Sequence, residues 1–152
     1  MTEKEAGKKV DVLLVEDNED HIFLASRALH NSGLPLNLYV VRDGEEALEF
    51  IYQTGAHREA PRPDLILLDI KLPGRDGFEV LQELKTNESF KAIPIVMLTS
   101  SGADTDVSRA YVLGANSYIT KPVDISELVA KLRQIPGYWT QLNVLPPDIR
   151  QK

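Results

Sequence analysis

At 152 residues, 43% of them hydrophobic, the chain suits one compact domain with a full core. Its net charge is −6, and no window of Lys and Arg is dense enough to track a phosphate backbone, so no nucleic acid partner is expected. Cysteine is absent, which excludes disulfides and thiolate metal sites, and there is neither a secretory signal nor an apolar run of about eighteen residues, so no membrane span is expected and the cytoplasm is the expected compartment.

Residues 10–15, VDVLLV, read as a first strand buried on both faces. A helix follows over 20–31, with Ile22, Ala25 and Leu29 on one face and Gly33 as its C-cap. Residues 36–41 form the second predicted strand, and 44–53 a helix with Ala47, Leu48 and Ile51 at helical spacing. LILL at 65–68 is the third strand, and 78–85 a helix turning Phe78, Leu81 and Leu84 inward. Pro94 opens a fourth strand over 95–98, followed by a helix near 105–113. The fifth strand is 117–120, and a last helix over 125–135 turns Leu128, Val129 and Leu132 inward. Five strands, each followed by a helix, predict an α/β fold of the (βα)5 type, with a doubly wound five-stranded parallel sheet.

In such a sheet, ligands bind outside the carboxyl ends of the strands. The chemistry at those ends is unusual. Strand one ends in Glu16, Asp17 and Asn18, strand three in Asp69, strand four in Thr99 and Ser100, and strand five in Thr120 and Lys121 before Pro122. A single Asp after a strand is most often a turn residue or a helix N-cap. Three carboxylates together are different, because two like charges about 4 Å apart repel by roughly 4 kcal/mol at an effective dielectric near 20. Such a cluster persists only if a cation occupies it or one member protonates, and Lys121 alone offsets a single charge. Mg²⁺ suits it, since that ion takes one or two carboxylates, keeps waters and then accepts phosphate oxygens.

A buried apolar strand that ends on Asp69 therefore has a chemical rationale: the carboxylate attacks phosphorus. An acyl phosphate can form there if the incoming group is positioned and its charge neutralised. Mg²⁺ held by Glu16 and Asp17 would supply most of the neutralisation, Lys121 would bind a phosphoryl oxygen, and the Thr99 hydroxyl would hydrogen-bond another.

The set VED at Glu16 and Asp17, LLDIKLPGRDG around Asp69, MLTSS at Thr99 and YITKP at Lys121 resembles the receiver domain of bacterial two-component response regulators, the CheY-like family with its flavodoxin-like fold. The resemblance spans 10–135. It implies that Asp69 is the phosphoacceptor, that Asp17 and Glu16 bind Mg²⁺ together with Asp69 and the backbone carbonyl of Lys71, and that Thr99 and Lys121 are the switch and phosphate-binding residues. Glu16 stands where many receivers carry Asp. The family also implies a cis peptide before Pro122, and an aromatic at Tyr118 that turns inward when Thr99 moves toward the phosphoryl group. Tyr118 precedes Thr120 by two residues, so the strand places both on one face.

The remaining features read as ordinary. Gly44 after Asp43 is turn chemistry opening a helix, the histidines His21, His30 and His57 are too dispersed for a metal site or a relay, and 54–63 reads as a tolerated insertion more than a partner contact. Residues 136–152 form an extension too short for an output domain, so signalling is expected to run through protein contacts. Trp139, Tyr138, Leu142, Val144 and Leu145 give that tail apolar surface to pack on the body or a second subunit. The 54–63 loop and the YW…LNVLP ending resemble standalone regulators paired with bacterial phytochrome histidine kinases. That narrower likeness implies a sensor histidine kinase partner, a bacterial phytochrome in this group, and a homodimer through the face of the fourth helix, fifth strand and fifth helix, with the tail contributing.

Three alternatives stand beside this reading. A phosphohydrolase with an aspartyl-phosphate intermediate, like haloacid-dehalogenase-like enzymes, would carry a second acid two residues after the nucleophile, where this chain has Lys71. A flavodoxin-type cofactor protein would need a phosphate-cradling loop after strand one, where EDNED repels phosphate. A phosphorylation-independent scaffold, a pseudo-receiver, would not require the intact set of site residues. The expected protein is thus a signalling phosphoacceptor, with only self-catalysed phosphotransfer and autodephosphorylation, and not an enzyme.

Overall fold

The computed structural model describes residues 9–133. Five parallel strands, β1 (Val10–Val15), β2 (Leu36–Val41), β3 (Leu65–Leu68), β4 (Ile95–Thr99) and β5 (Ser117–Thr120), lie in the order β2-β1-β3-β4-β5. The intervening helices are α1 (Glu19–Asn31), α2 (Gly44–Tyr52), α3 (Gly77–Lys85), α4 (Asp104–Val112) and α5 (Ile125–Arg133), with a short 3₁₀ turn at Gly55–His57. The predicted α/β doubly wound sheet is the observed one. Expectations placed on 136–152, Trp139 among them, and on the Leu132 side chain lie outside the described residues.

The sheet is covered on both faces, which explains the unbroken apolar runs of its central strands. Leu13 and Val15 of β1, Ile66 and Leu68 of β3 and Ile95 and Met97 of β4 pack with α2, α3 and α4. Their alternates, Val12 and Leu14, Leu65 and Leu67, and Val96 and Leu98, pack with Ala25 and Leu29 of α1 and Leu128 of α5. The period of two along each strand thus feeds two separate cores.

Helix starts are set by side chains that satisfy free backbone donors. Asn18 accepts from the His21 N–H at 3.0 Å and so begins α1 one residue earlier than its periodicity predicts. Ser32 caps the other end, and Gly33 follows it at φ 77°, the left-handed conformation that glycine adopts without strain. At α3, Asp76 accepts from the Glu79 N–H at 2.9 Å while Glu79 Oε1 accepts from the Asp76 N–H at 3.0 Å, a reciprocal capping box. Asp76→Ala is expected to cost about 1 kcal/mol, read as a lower urea midpoint with an unchanged m-value.

The 54–63 segment is tied to the body. His57 Nε2 lies 3.0 Å from Glu46 Oε2, Gln53 Nε2 donates to the Ala60 carbonyl at 2.6 Å, and Arg62 donates to the Ser89 carbonyl at 2.8 Å. Among the described residues no helix is long and apolar enough to cross a membrane.

Candidate functional site

The chain runs outward from β1 to β2, returns to β3, and then adds β4 and β5 on the far side. Strand order therefore reverses between β1 and β3, and the crevice this opens lies at their carboxyl ends. Glu16 continues β1 into it, its backbone N–H donating to the Val41 carbonyl at 3.0 Å, and Asp69 continues β3, with its N–H on the Val15 carbonyl at 3.1 Å. One backbone bond thus holds the base of each acid to the neighbouring strand. Thr99 ends β4, and the N–H of Lys121, just beyond β5, donates to its carbonyl at 2.8 Å.

Of the residues expected from the sequence, Glu16, Asp17, Asp69, Lys71 and Thr99 line one cleft and Lys121 bonds two of them, whereas Tyr118 lies in the core. Glu16, Asp17 and Asp69 each offer an oxygen within 4.8 Å of the others. Glu16, Asp69 and Thr99 are buried, whereas Asp17 is exposed. Lys71 lines the same cleft of about 160 Å³, as do Ser100 and Ser101 of the β4–α4 loop.

Electrostatics in this cleft are organised around one amine. Lys121 Nζ donates to Asp69 Oδ2 at 3.1 Å and also to Glu16 Oε1, and its side chain is 7% exposed. The second oxygens are held by backbone: Ile70 N–H donates to Asp69 Oδ1 at 2.7 Å, and Asn18 N–H to Glu16 Oε2 at 3.0 Å. One ammonium shared by two buried carboxylates, with a third carboxylate at their side, leaves negative charge in excess. The donors are hard oxygens, and such a set fits a hard divalent cation.

Tyr118 points inward, 7% exposed, within the core that α2, α3 and α4 cover. Its hydroxyl donates to the Ser101 carbonyl at 2.7 Å, and burial pushes the phenol above its ordinary pKa. Thr120, which should share its face, is exposed because it stands at the strand's open end. Ser101 Oγ also donates to Asp106 Oδ2 at 2.5 Å, so the loop after Thr99 is bound both to β5 and to the first turn of α4. The Lys121–Pro122 peptide bond is cis, as the resemblance implied.

Sequence reasoning passed over His21. Spacing alone makes it one of three dispersed histidines, yet it lines the cleft, with its Nδ1 2.9 Å from Lys121 Nζ. The available signal was its position: four residues after Asp17, on the first turn of a helix that starts at the site. His30 and His57 lie elsewhere, on the last turn of α1 and in the 3₁₀ turn.

Comparison with known proteins agrees with this architecture. The response regulator receiver domain family matches residues 12–133. Response regulator Rcp1 of Synechocystis sp. is 40% identical over 135 residues, covering 89% of this chain and 92% of that protein. The crystal structure of its Mn²⁺-bound form has a TM-score of 0.73 at 39% identity, over 90% of this chain and 99% of the other. The phosphorylated cyanobacterial phytochrome response regulator RcpA superposes with a TM-score of 0.73 at 42% identity, over 87% of this chain and 94% of its own. The bacteriophytochrome response regulator RtBRR reaches a TM-score of 0.79 at 40% identity, over 95% and 88%.

Proposed function

This chain belongs to the response regulator receiver domain family, and from that premise we propose that Asp69 accepts a phosphoryl group from the phosphohistidine of a sensor histidine kinase, and that the protein signals through the contacts this changes. The observation that carries the assignment to Asp69 is its place at the switch point. It is a buried carboxylate with one oxygen held by the Ile70 N–H and the other by an ammonium, beside two further acids and a hydroxyl.

In the transfer an Asp69 oxygen forms a bond to phosphorus as the P–N bond to the kinase histidine breaks, and the imidazole leaves with the electron pair. Lys121 neutralises one phosphoryl oxygen and the Thr99 hydroxyl donates to another. Glu16, Asp17, Asp69 and the carbonyl of Lys71 would hold Mg²⁺, and the metal-bound form of Rcp1 supports a divalent cation here. When bound, that cation offsets the charge of the carboxylates and of the phosphoryl group. Once Thr99 engages the phosphoryl group, the loop through Ser101 shifts, and Tyr118, which grips the Ser101 carbonyl, carries the change to β5 and α4. Autodephosphorylation by water on the same phosphorus resets the site.

The partner kinase is proposed to be of the phytochrome class, a reading supported by the phytochrome-associated relatives RcpA and RtBRR. Two copies are proposed to pair through α4, β5 and α5 with the 136–152 tail, and the exposure of Tyr111 and Val112 on α4 supports that face.

The test is the intact mass of the protein after incubation with acetyl phosphate. One phosphoryl adduct is expected with Mg²⁺ and none with EDTA, and an adduct of equal yield in EDTA would remove the cation from the mechanism. Glu16→Gln is expected to raise the Mg²⁺ concentration for half-maximal adduct by roughly tenfold, about 1.4 kcal/mol of lost attraction.

A further inference from the structure

None of the roles above uses His21. Its imidazole closes one wall of the Asp69 cleft and also faces the adjoining apolar cleft of Leu24, Pro122 and Val123, and its side chain is 33% exposed. Nδ1 lies 2.9 Å from Lys121 Nζ and 3.8 Å from Glu16 Oε2, with the ammonium bonded to both side chains. An ammonium only donates, so in this contact the acceptor is the lone pair of Nδ1.

Lys121 carries three N–H donors, and here it meets three acceptors: Glu16 Oε1, Asp69 Oδ2 and His21 Nδ1. The proposed chemistry alters two of them. Glu16 becomes a ligand of the cation, and Asp69 becomes an acyl phosphate whose charge lies on the phosphoryl oxygens. His21 is neither a cation ligand nor a reacting group, so its bond to the amine survives both events.

We propose that His21 is a positioning residue that holds the Lys121 ammonium at the Asp69 cleft through Nδ1, so that the amine meets incoming phosphoryl oxygens already ordered. The inference rests on the assignment of Asp69 and Lys121 above. The physical gain is preorganisation: a four-carbon stem anchored at its charged end does not have to be fixed in the transition state. A packing role for His21 against Leu24 would be served equally by an apolar side chain, and that difference is testable.

The experiment compares the full-length wild type with His21→Leu, which keeps bulk but has no acceptor, and His21→Asn, whose amide oxygen can take the place of Nδ1. The first readout needs neither phosphate nor Mg²⁺: the ¹⁵N-correlated NMR signal of the Lys121 side-chain ammonium. It is expected to be resolved in the wild type and His21→Asn, and merged with the exposed lysines in His21→Leu. The second is the rate of adduct formation from acetyl phosphate at saturating Mg²⁺. His21→Leu is expected to slow it by roughly fivefold to tenfold, with His21→Asn within about twofold of wild type and the Mg²⁺ midpoint unchanged in both. A His21→Leu protein with wild-type signal and rate would reduce His21 to packing, and equal slowing in both variants would overturn the acceptor role. A wild type that forms no adduct at all would strike the Asp69 assignment instead, while the ammonium signal would still decide whether His21 holds Lys121.

Discussion

Asp69→Asn is expected to form no phosphoryl adduct with acetyl phosphate in Mg²⁺, a fall in rate of roughly a thousandfold or more, while remaining folded. A carboxylate attacks phosphorus with an anionic oxygen, and an amide of the same shape has no such nucleophile. The neighbouring groups do not compensate. Glu16 is buried with its Oε1 held by Lys121, and Asp17 is exposed, without the bond to the amine that Asp69 makes. The fold is expected to survive because two electrostatic effects oppose each other. The variant gives up the ion pair with Lys121 at 3.1 Å, yet it also removes one of three carboxylates lying within 4.8 Å of one another. Each of these terms is a few kcal/mol at an effective dielectric near 20, and they differ in sign, so the net change in stability is expected to stay within about 1 kcal/mol. Mass spectrometry beside a urea melt separates the two outcomes. An adduct that persists in Asp69→Asn would move the phosphoacceptor to another side chain.

The second large effect is on stability, at Gly77. This residue opens α3, and its N–H donates to the Ile70 carbonyl at 2.8 Å, folding the helix start back over the end of β3. A Cβ added there would overlap the Asp69 carbonyl oxygen and stand 2.8 Å from Ile70 Cα. Both obstacles are backbone of the segment that continues β3 through Asp69 and Ile70, so no side chain can rotate away. Gly77→Ala is expected to cost about 3 kcal/mol, lowering the melting temperature by roughly 6–12 °C, and to slow adduct formation because relief of the overlap must move Asp69. Gly102→Ala is the control, since its Cβ would meet only the Thr120 side chain at 4.0 Å. Its effect is expected within about 0.5 kcal/mol. A Gly77→Ala protein as stable as the control would mean that the β3–α3 loop relaxes freely.

Element boundaries show where the residues alone were informative. β1, β2, β3 and β5 begin and end as their apolar runs predict: β3 and the inner residues of β1 are buried on both faces, and the polar Asp11 and Asn37 pair side by side near the starts of β1 and β2. Helix ends moved by a residue. Asn18 and Asp76 extend α1 and α3 backward by capping, and Gln53, expected inside the second helix, instead ends it with a left-handed φ of 59°. Periodicity reports which face is buried and is blind to where the last backbone bond is made. Thr99, expected just past β4, is its last residue and pairs with Thr120.

Fold class and the residue types at the strand ends are legible in the residues alone. The alternation of apolar runs with helical periods admits one sheet architecture, that architecture places ligands at strand ends, and the residues at those ends are acids, a hydroxyl and an amine. Tertiary structure alone decided how those groups are paired. Lys121 reaches Glu16 across 105 positions of chain and Asp69 across 52, distances over which no local pattern operates. It alone set Tyr118 on the Ser101 carbonyl, Gly77 against the backbone of Asp69, and His21 on the ammonium. The physical reason is the same in each case. Composition and periodicity state which surface a residue prefers, whereas a hydrogen bond or a contact between distant segments exists only once the sheet has fixed where their backbones lie.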